Sequence, residues 1–105
     1  MKTSRLAAMI AIFAMTAVRA DAPVTVTQKG LQFSVEELSL KKGQMVVFIN
    51  DDRTPHNITV SGEGLSLNGG LQQPGGQFKV PFTKAGVYQV SCGIHPKMKL
   101  SITVK

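Results

Sequence analysis

From residue 24 onward apolar and polar positions alternate with period two in one segment after another, the signature of strands with one face buried. Val24 and Val26 alternate with Thr25 and Thr27; Phe78, Val80 and Phe82 with Gln77, Lys79 and Pro81; Tyr88, Val90 and Cys92 with Val87, Gln89 and Ser91. The C-terminal run is the clearest: Met98, Leu100, Ile102 and Val104 fall on one face, and Lys97, Lys99, Ser101, Thr103 and Lys105 on the other. Met45 to Ile49 is apolar on both faces and reads as a central strand covered on both sides. Turn residues separate these runs at Lys41-Lys42-Gly43-Gln44, Asp51 to Pro55, Ser61-Gly62-Glu63-Gly64, Asn68 to Gly76 and Thr83 to Gly86. Short strands at such spacing, with no helical period, predict a β-sandwich or small barrel. The glycine-rich Asn68 to Gly76 reads as a connecting loop, since no strand-to-helix switch follows it to make a phosphate cradle.

The first 20 residues follow another pattern. Lys2 and Arg5 precede a run of 13 apolar or small residues, Leu6 to Val18, interrupted only by Thr16. This reads as a secretory signal peptide, too short to span a bilayer, which takes roughly 20 apolar residues. Val18-Arg19-Ala20 offers small residues at the cleavage positions, whereas cutting after Ala22 would place Pro23 next to the scissile bond. The expected organisation is a signal peptide at 1–20 and one domain at 21–105, exported to the periplasm with no stable membrane insertion. Losing Lys2, Arg5 and Arg19 leaves nine basic and six acidic residues, a net charge of +3 instead of the +6 of the whole chain. That mild basicity, on an exported domain, argues against nucleic acid as a partner. A domain of 85 residues is small enough to call for a staple, and the single cysteine cannot supply an internal disulfide. A metal would fill that role.

The chemistry-bearing residues cluster. "VSCGIHPKM", residues 90 to 98, holds the only cysteine, one of two histidines and a methionine. By parity Cys92 points inward with Tyr88 and Val90, Met98 points inward with Leu100 and Ile102, and His95 lies in the turn between them. The other histidine, His56, shares parity with Ile58 and Val60 and can enter the same sandwich end. Thiolate and thioether favour Cu(I) and imidazole suits Cu(II); two His, one Cys and a weak Met form the ligand set of blue-copper electron-transfer sites. Taken singly, Cys92 also fits a small buried hydrophobe, Met98 the first core residue of its strand, and His56 a hydrogen-bonded loop residue.

The stretches "YQVSCGIHPKMKLSITV" (88 to 104) and "NDDRTPHNITV" (50 to 60) resemble the cupredoxins, the small type 1 blue copper proteins, most of all their amicyanin and plastocyanin-like branch. The C-x2-H-x2-M spacing is similar to the short amicyanin-type loop, although Gly93-Ile94 stands where several relatives carry a proline before the histidine. The resemblance implies an all-β, Greek-key sandwich or barrel holding one copper ion, with His56, Cys92 and His95 as equatorial ligands and Met98 as the axial one. It also implies that Asn57 stiffens the site by hydrogen bonding near the cysteine sulfur.

The function this implies is periplasmic one-electron transport without enzymatic activity, by a monomer. It would work between redox proteins such as a dehydrogenase donor and a c-type cytochrome or oxidase acceptor. The outer ring edge of His95, within an apolar patch of Ile94, Pro96 and Pro55, is the expected electron route, and Lys97 and Lys99 would favour an acidic partner surface. The alternative is a module that stores or delivers Cu(I), but such proteins favour exposed, exchangeable Met or His clusters. A cysteine hydrolase would need a substrate cleft and an outward Cys92. Structural zinc is disfavoured by the methionine, and a binuclear copper centre would need a second cysteine.

Overall fold

The computed structural model describes residues 21–105; the expected signal peptide lies outside them. Nine strands and no helix occur among the described residues: β1 (Val24–Lys29), β2 (Gln32–Phe33), β3 (Glu37–Leu40), β4 (Gln44–Asn50), β5 (Ile58–Gly62), β6 (Leu65–Asn68), β7 (Gln77–Phe82), β8 (Gly86–Cys92) and β9 (Lys99–Val104). They form two sheets, of order β2-β1-β4-β7 and β3-β9-β8-β5-β6. The pairings β1–β4 and β3–β9 are parallel, and the remaining neighbours are antiparallel. This is the all-β sandwich that the alternation predicts.

Strand parity sets the core. Val26, Val46, Phe48, Val60, Val80, Phe82, Tyr88, Val90, Leu100, Ile102 and Val104 are all buried between the sheets. Full burial of one such side chain stabilises by about 1.5–3 kcal/mol. Phe33 packs edge-on against Phe48, with ring centroids 6.5 Å apart, and Phe82 against Tyr88 at 5.0 Å. Tyr88 Oη donates to the Lys84 carbonyl at 2.6 Å, so the one polar atom of this buried ring is satisfied. Glycine is required at Gly62, where φ is 146° and an added Cβ would lie 2.4 Å from the Val87 carbonyl oxygen.

Two expectations need correction. β4 is central in its sheet, but it is covered on one face only: Val46, Phe48 and Asn50 are buried while Met45, Val47 and Ile49 are half-buried. A two-layer sandwich has no third layer to cover the outer face. Asn68 to Gly76 is also more than a connector, because Asn68 ends β6 and Gln72 forms an isolated antiparallel bridge with His56.

The parallel register of β1 on β4 aligns Gln28 with Asn50, and the antiparallel register of β5 on β8 aligns Ile58 with Cys92. The turn after β1, the loop after β4, the approach to β5 and the β8–β9 turn therefore meet at one end of the sandwich.

Candidate metal centre

His56, Cys92 and Met98 are buried at that end, at 0%, 1% and 2% exposure. His56 sits just before β5, held by reciprocal backbone bonds with Gln72: its amide donates at 3.0 Å and its carbonyl accepts at 2.6 Å. Cys92 closes β8 on the inward face, as parity predicts. Met98 precedes β9 by one residue and keeps the inward direction; its amide donates to the His95 carbonyl at 3.0 Å, closing the turn.

Cys92 Sγ lies 3.5 Å from His56 Nδ1. It also accepts a hydrogen bond from the Asn57 amide at 3.3 Å. The Asn57 side chain donates through Nδ2 to Asn68 Oδ1 at 2.7 Å and to the Gly70 carbonyl at 2.8 Å, while the Asn57 backbone carbonyl accepts from the Gly93 amide at 2.8 Å. Asn57 thus ties the cysteine sulfur and the residue after it to the β6–β7 loop. A Cβ at position 93 would come within 2.4 Å of Asn57 Oδ1, so any larger residue there would displace the Asn57 side chain.

His56 Nε2 faces Asp52 Oδ2 at 2.6 Å. Burial alone would push the Asp52 carboxyl up, but the hydrogen bonds from His56 and from the Gly30 and Leu31 amides outweigh it and hold the group below the usual carboxylate range. An ionised carboxylate only accepts, so Nε2 carries the ring proton and a neutral ring turns its Nδ1 lone pair toward the sulfur.

His95 is half-buried, and its ring meets that of His56 edge-on with centroids 5.0 Å apart. Its Nε2 is buried without a hydrogen-bond partner. An orphaned buried nitrogen on a ring packed against His56, at the sandwich end that also holds Cys92 and Met98, fits a soft metal ion that also takes nitrogen ligands. His56 and Cys92 are already brought together. Among the described residues, however, no three His, Cys, Asp or Glu side chains converge at metal-binding spacing. A donor set including His95 therefore requires that ring to turn toward the His56–Cys92 pair.

Outside His95 a shallow groove is lined by Leu31, Ile94, His95, Pro96, Lys97 and Met98. Leu31 and Ile94 are 50% and 46% exposed. Ile94 and Pro96 stand where the apolar patch was expected, but Pro55 does not line the groove and Leu31, from the β1–β2 turn, takes its place.

Behind His56 lies a set of buried amides that sequence reasoning missed. Gln28 Nε2 donates to Gln72 Oε1 at 2.9 Å, and Gln72 Nε2 donates to the carbonyls of Phe48 at 3.0 Å and Gly76 at 2.7 Å. Asn50 Nδ2 donates to the carbonyls of Thr54 and Gln72, both at 2.9 Å. These bonds fix the backbone on both sides of His56.

A model of copper-binding proteins of the plastocyanin/azurin family matches residues 20–105. Amicyanin of Paracoccus denitrificans is 31% identical over 90 residues, covering 82% of this chain and 68% of that protein. A solved reduced Cu(I) form of an amicyanin mutant at pH 4 superposes with a TM-score of 0.74 at 28% identity, covering 83% of this chain and 86% of the other. A copper-containing nitrite reductase from Thermus scotoductus SA-01 matches with a TM-score of 0.73 at 31% identity, covering 85% of this chain but only 24% of that one.

Proposed function

From the premise that this chain belongs to the plastocyanin/azurin family of copper-binding proteins, we propose that it carries single electrons between redox proteins, with His56, Cys92, His95 and Met98 holding one type 1 copper ion. Copper bound there supplies the one-electron Cu(I)/Cu(II) couple. The observation that carries this reading is the fully buried Cys92 Sγ facing His56 Nδ1 at 3.5 Å. It brings a cysteine sulfur and an imidazole nitrogen together at a buried end of the sandwich.

The surrounding residues keep that pocket rigid. The Asn57 amide on Sγ, the Gly93 amide on the Asn57 carbonyl and the Met98 amide on the His95 carbonyl fix both ends of the Cys92–Met98 loop. A centre that moves little between oxidation states exchanges electrons with little reorganisation, which favours a carrier over a Cu(I) delivery module. Nor is an enzymatic role assigned: the match to the nitrite reductase speaks for the fold of one portion of that protein. The half-buried His95, within the Leu31, Ile94 and Pro96 groove, is the proposed electron route.

The finer reading is a monomer spanning 21–105, exported to the periplasm by a signal peptide at 1–20. Redox partners there, such as a dehydrogenase and a c-type cytochrome or oxidase, would present an acidic surface to Lys97 and Lys99. Among the described residues no helix is long and apolar enough to cross a membrane.

The test is to add Cu(II) to the protein from Asp21 onward. An intense visible thiolate-to-copper absorption, abolished by Cys92→Ser, is the expected result. A pale product with weak absorption, or colour that survives Cys92→Ser, would overturn the proposal.

A further inference from the structure

One carboxylate joins the β1–β2 turn to the loop that carries His56. Asp52 Oδ1 accepts from the Gly30 amide at 2.6 Å, Oδ2 accepts from the Leu31 amide at 3.2 Å, and the same Oδ2 faces His56 Nε2 at 2.6 Å. The Asp52 side chain is only 12% exposed. We propose that Asp52 is a positioning residue serving two surfaces at once: it holds the His56 ring with Nδ1 toward Cys92, and it holds Leu31 at the rim of the groove outside His95. The inference rests on the reading of His56 as a copper ligand and deepens it.

The turn geometry supports the second half. Gly30 and Leu31 have φ of 65° and 59°, so two consecutive residues occupy the left-handed region. Successive amides in that conformation converge on a concavity that favours an anion, and the Asp52 carboxylate fills it. Glycine adopts the conformation freely, whereas leucine is a poor choice for a two-residue hairpin turn of this kind, which favours Asn, Asp or Gly. The carboxylate offsets that misfit, and what the molecule gains is an apolar side chain standing 50% exposed beside Ile94 and His95.

The first half follows from proton accounting. Because Asp52 only accepts, it selects the Nε2–H form of a neutral His56, and a partner of this kind raises the basicity of the other ring nitrogen. An asparagine cannot replace it. Three donors face the two carboxylate oxygens, so the NH2 group of an asparagine side chain at this position would meet either the Gly30 amide or the Leu31 and His56 donors. A partner pressing on Leu31 would pull on the same oxygen that orients His56, which couples docking to the electron affinity of the centre.

The test uses Asp52→Asn, with Asp51→Asn as a control that removes the same charge from a carboxylate making no contact with His56. Two-dimensional NMR of the copper-free protein reads the His56 tautomer and the exchange of the Gly30 and Leu31 amides. Wild type should show His56 as Nε2–H and both amides protected; Asp52→Asn should give a tautomer mixture and faster exchange at both amides. In the copper protein, Asp52→Asn should weaken Cu(II) binding roughly 10- to 100-fold and raise the reduction potential, with Asp51→Asn close to wild type. An Nδ1–H tautomer in wild type overturns the proposal, and this reading stands even if Asp52→Asn fails to fold. So does an Asp52→Asn protein with wild-type Cu(II) affinity and potential, or an equal shift in Asp51→Asn. A wild-type protein that stays colourless with Cu(II) would instead reject the copper-carrier reading, while the copper-free measurements still decide the role of Asp52.

Discussion

Removing the Gln72 side chain is the sharpest test of how the buried amides support the site. In Gln72→Ala the Gln28 Nε2 donor loses its partner inside the core, where Gln28 is fully buried. An orphaned buried donor costs about 1–3 kcal/mol. The bonds to the Phe48 and Gly76 carbonyls are lost as well, although the Gly76 oxygen keeps its bond from the Asn50 amide at 3.0 Å. With each net loss at about 0.5–1.5 kcal/mol, partly offset by relaxation around a half-exposed loop, a destabilisation of about 2–4 kcal/mol is expected. The Gln72 backbone bridge to His56 does not need the side chain, so the fold should survive. Urea unfolding of the copper-free protein, with unchanged slope and a lowered midpoint, is the measurement. Gln28→Leu combined with Gln72→Leu removes both members of the Gln–Gln bond and should cost less than the sum of the single changes. A loss below about 0.5 kcal/mol for Gln72→Ala, or strict additivity in the double variant, would refute this account of the network.

Two further outcomes are expected. Met98→Gln should keep a coloured centre with a lower reduction potential, because an oxygen donor favours Cu(II) over the thioether; each tenfold change in relative affinity moves a one-electron potential by about 59 mV, and a raised potential in voltammetry would remove Met98 from the ligand set. Charge reversal at both Lys97 and Lys99 should slow electron exchange with an acidic redox partner at low ionic strength and have little effect at high salt, as followed by stopped-flow; a rate indifferent to the change would reject their steering role.

Much of the fold was legible because period two is a strong constraint. Parity alone oriented Tyr88, Val90 and Cys92 on β8, and Met98, Leu100, Ile102 and Val104 along β9, and all of these are buried. The same parity extended by one step carried a signal left unread: Gln28 follows Val24 and Val26, and Asn50 follows Val46 and Phe48, so both amides had to point inward. The strands β2, β3 and β6 were not visible. β2 has two residues, and β3 and β6 have four each with exposed positions among them, so their identity comes from the strand beside them. Gln72 was hidden because a loop residue has no parity. Asp52 and Leu31 were hidden because their contact depends on the parallel β1–β4 register, which brings two turns 21 residues apart in the chain side by side.

That β3 pairs in parallel with β9 has a consequence for the order in which a newly made chain can acquire its structure. Leu38 and Leu40 find their partners in Ile102 and Val104, 64 residues further along the chain. The second sheet stays incomplete until β9 is in place, and so does the pocket, since Cys92, His95 and Met98 all lie between the last residue of β8 and the residue before β9. Long-range parallel pairing of this kind forms late and slowly. The first sheet, built from β2, β1, β4 and β7, needs nothing beyond Phe82 and can form earlier, so the end of the sandwich that holds Cys92 is completed last.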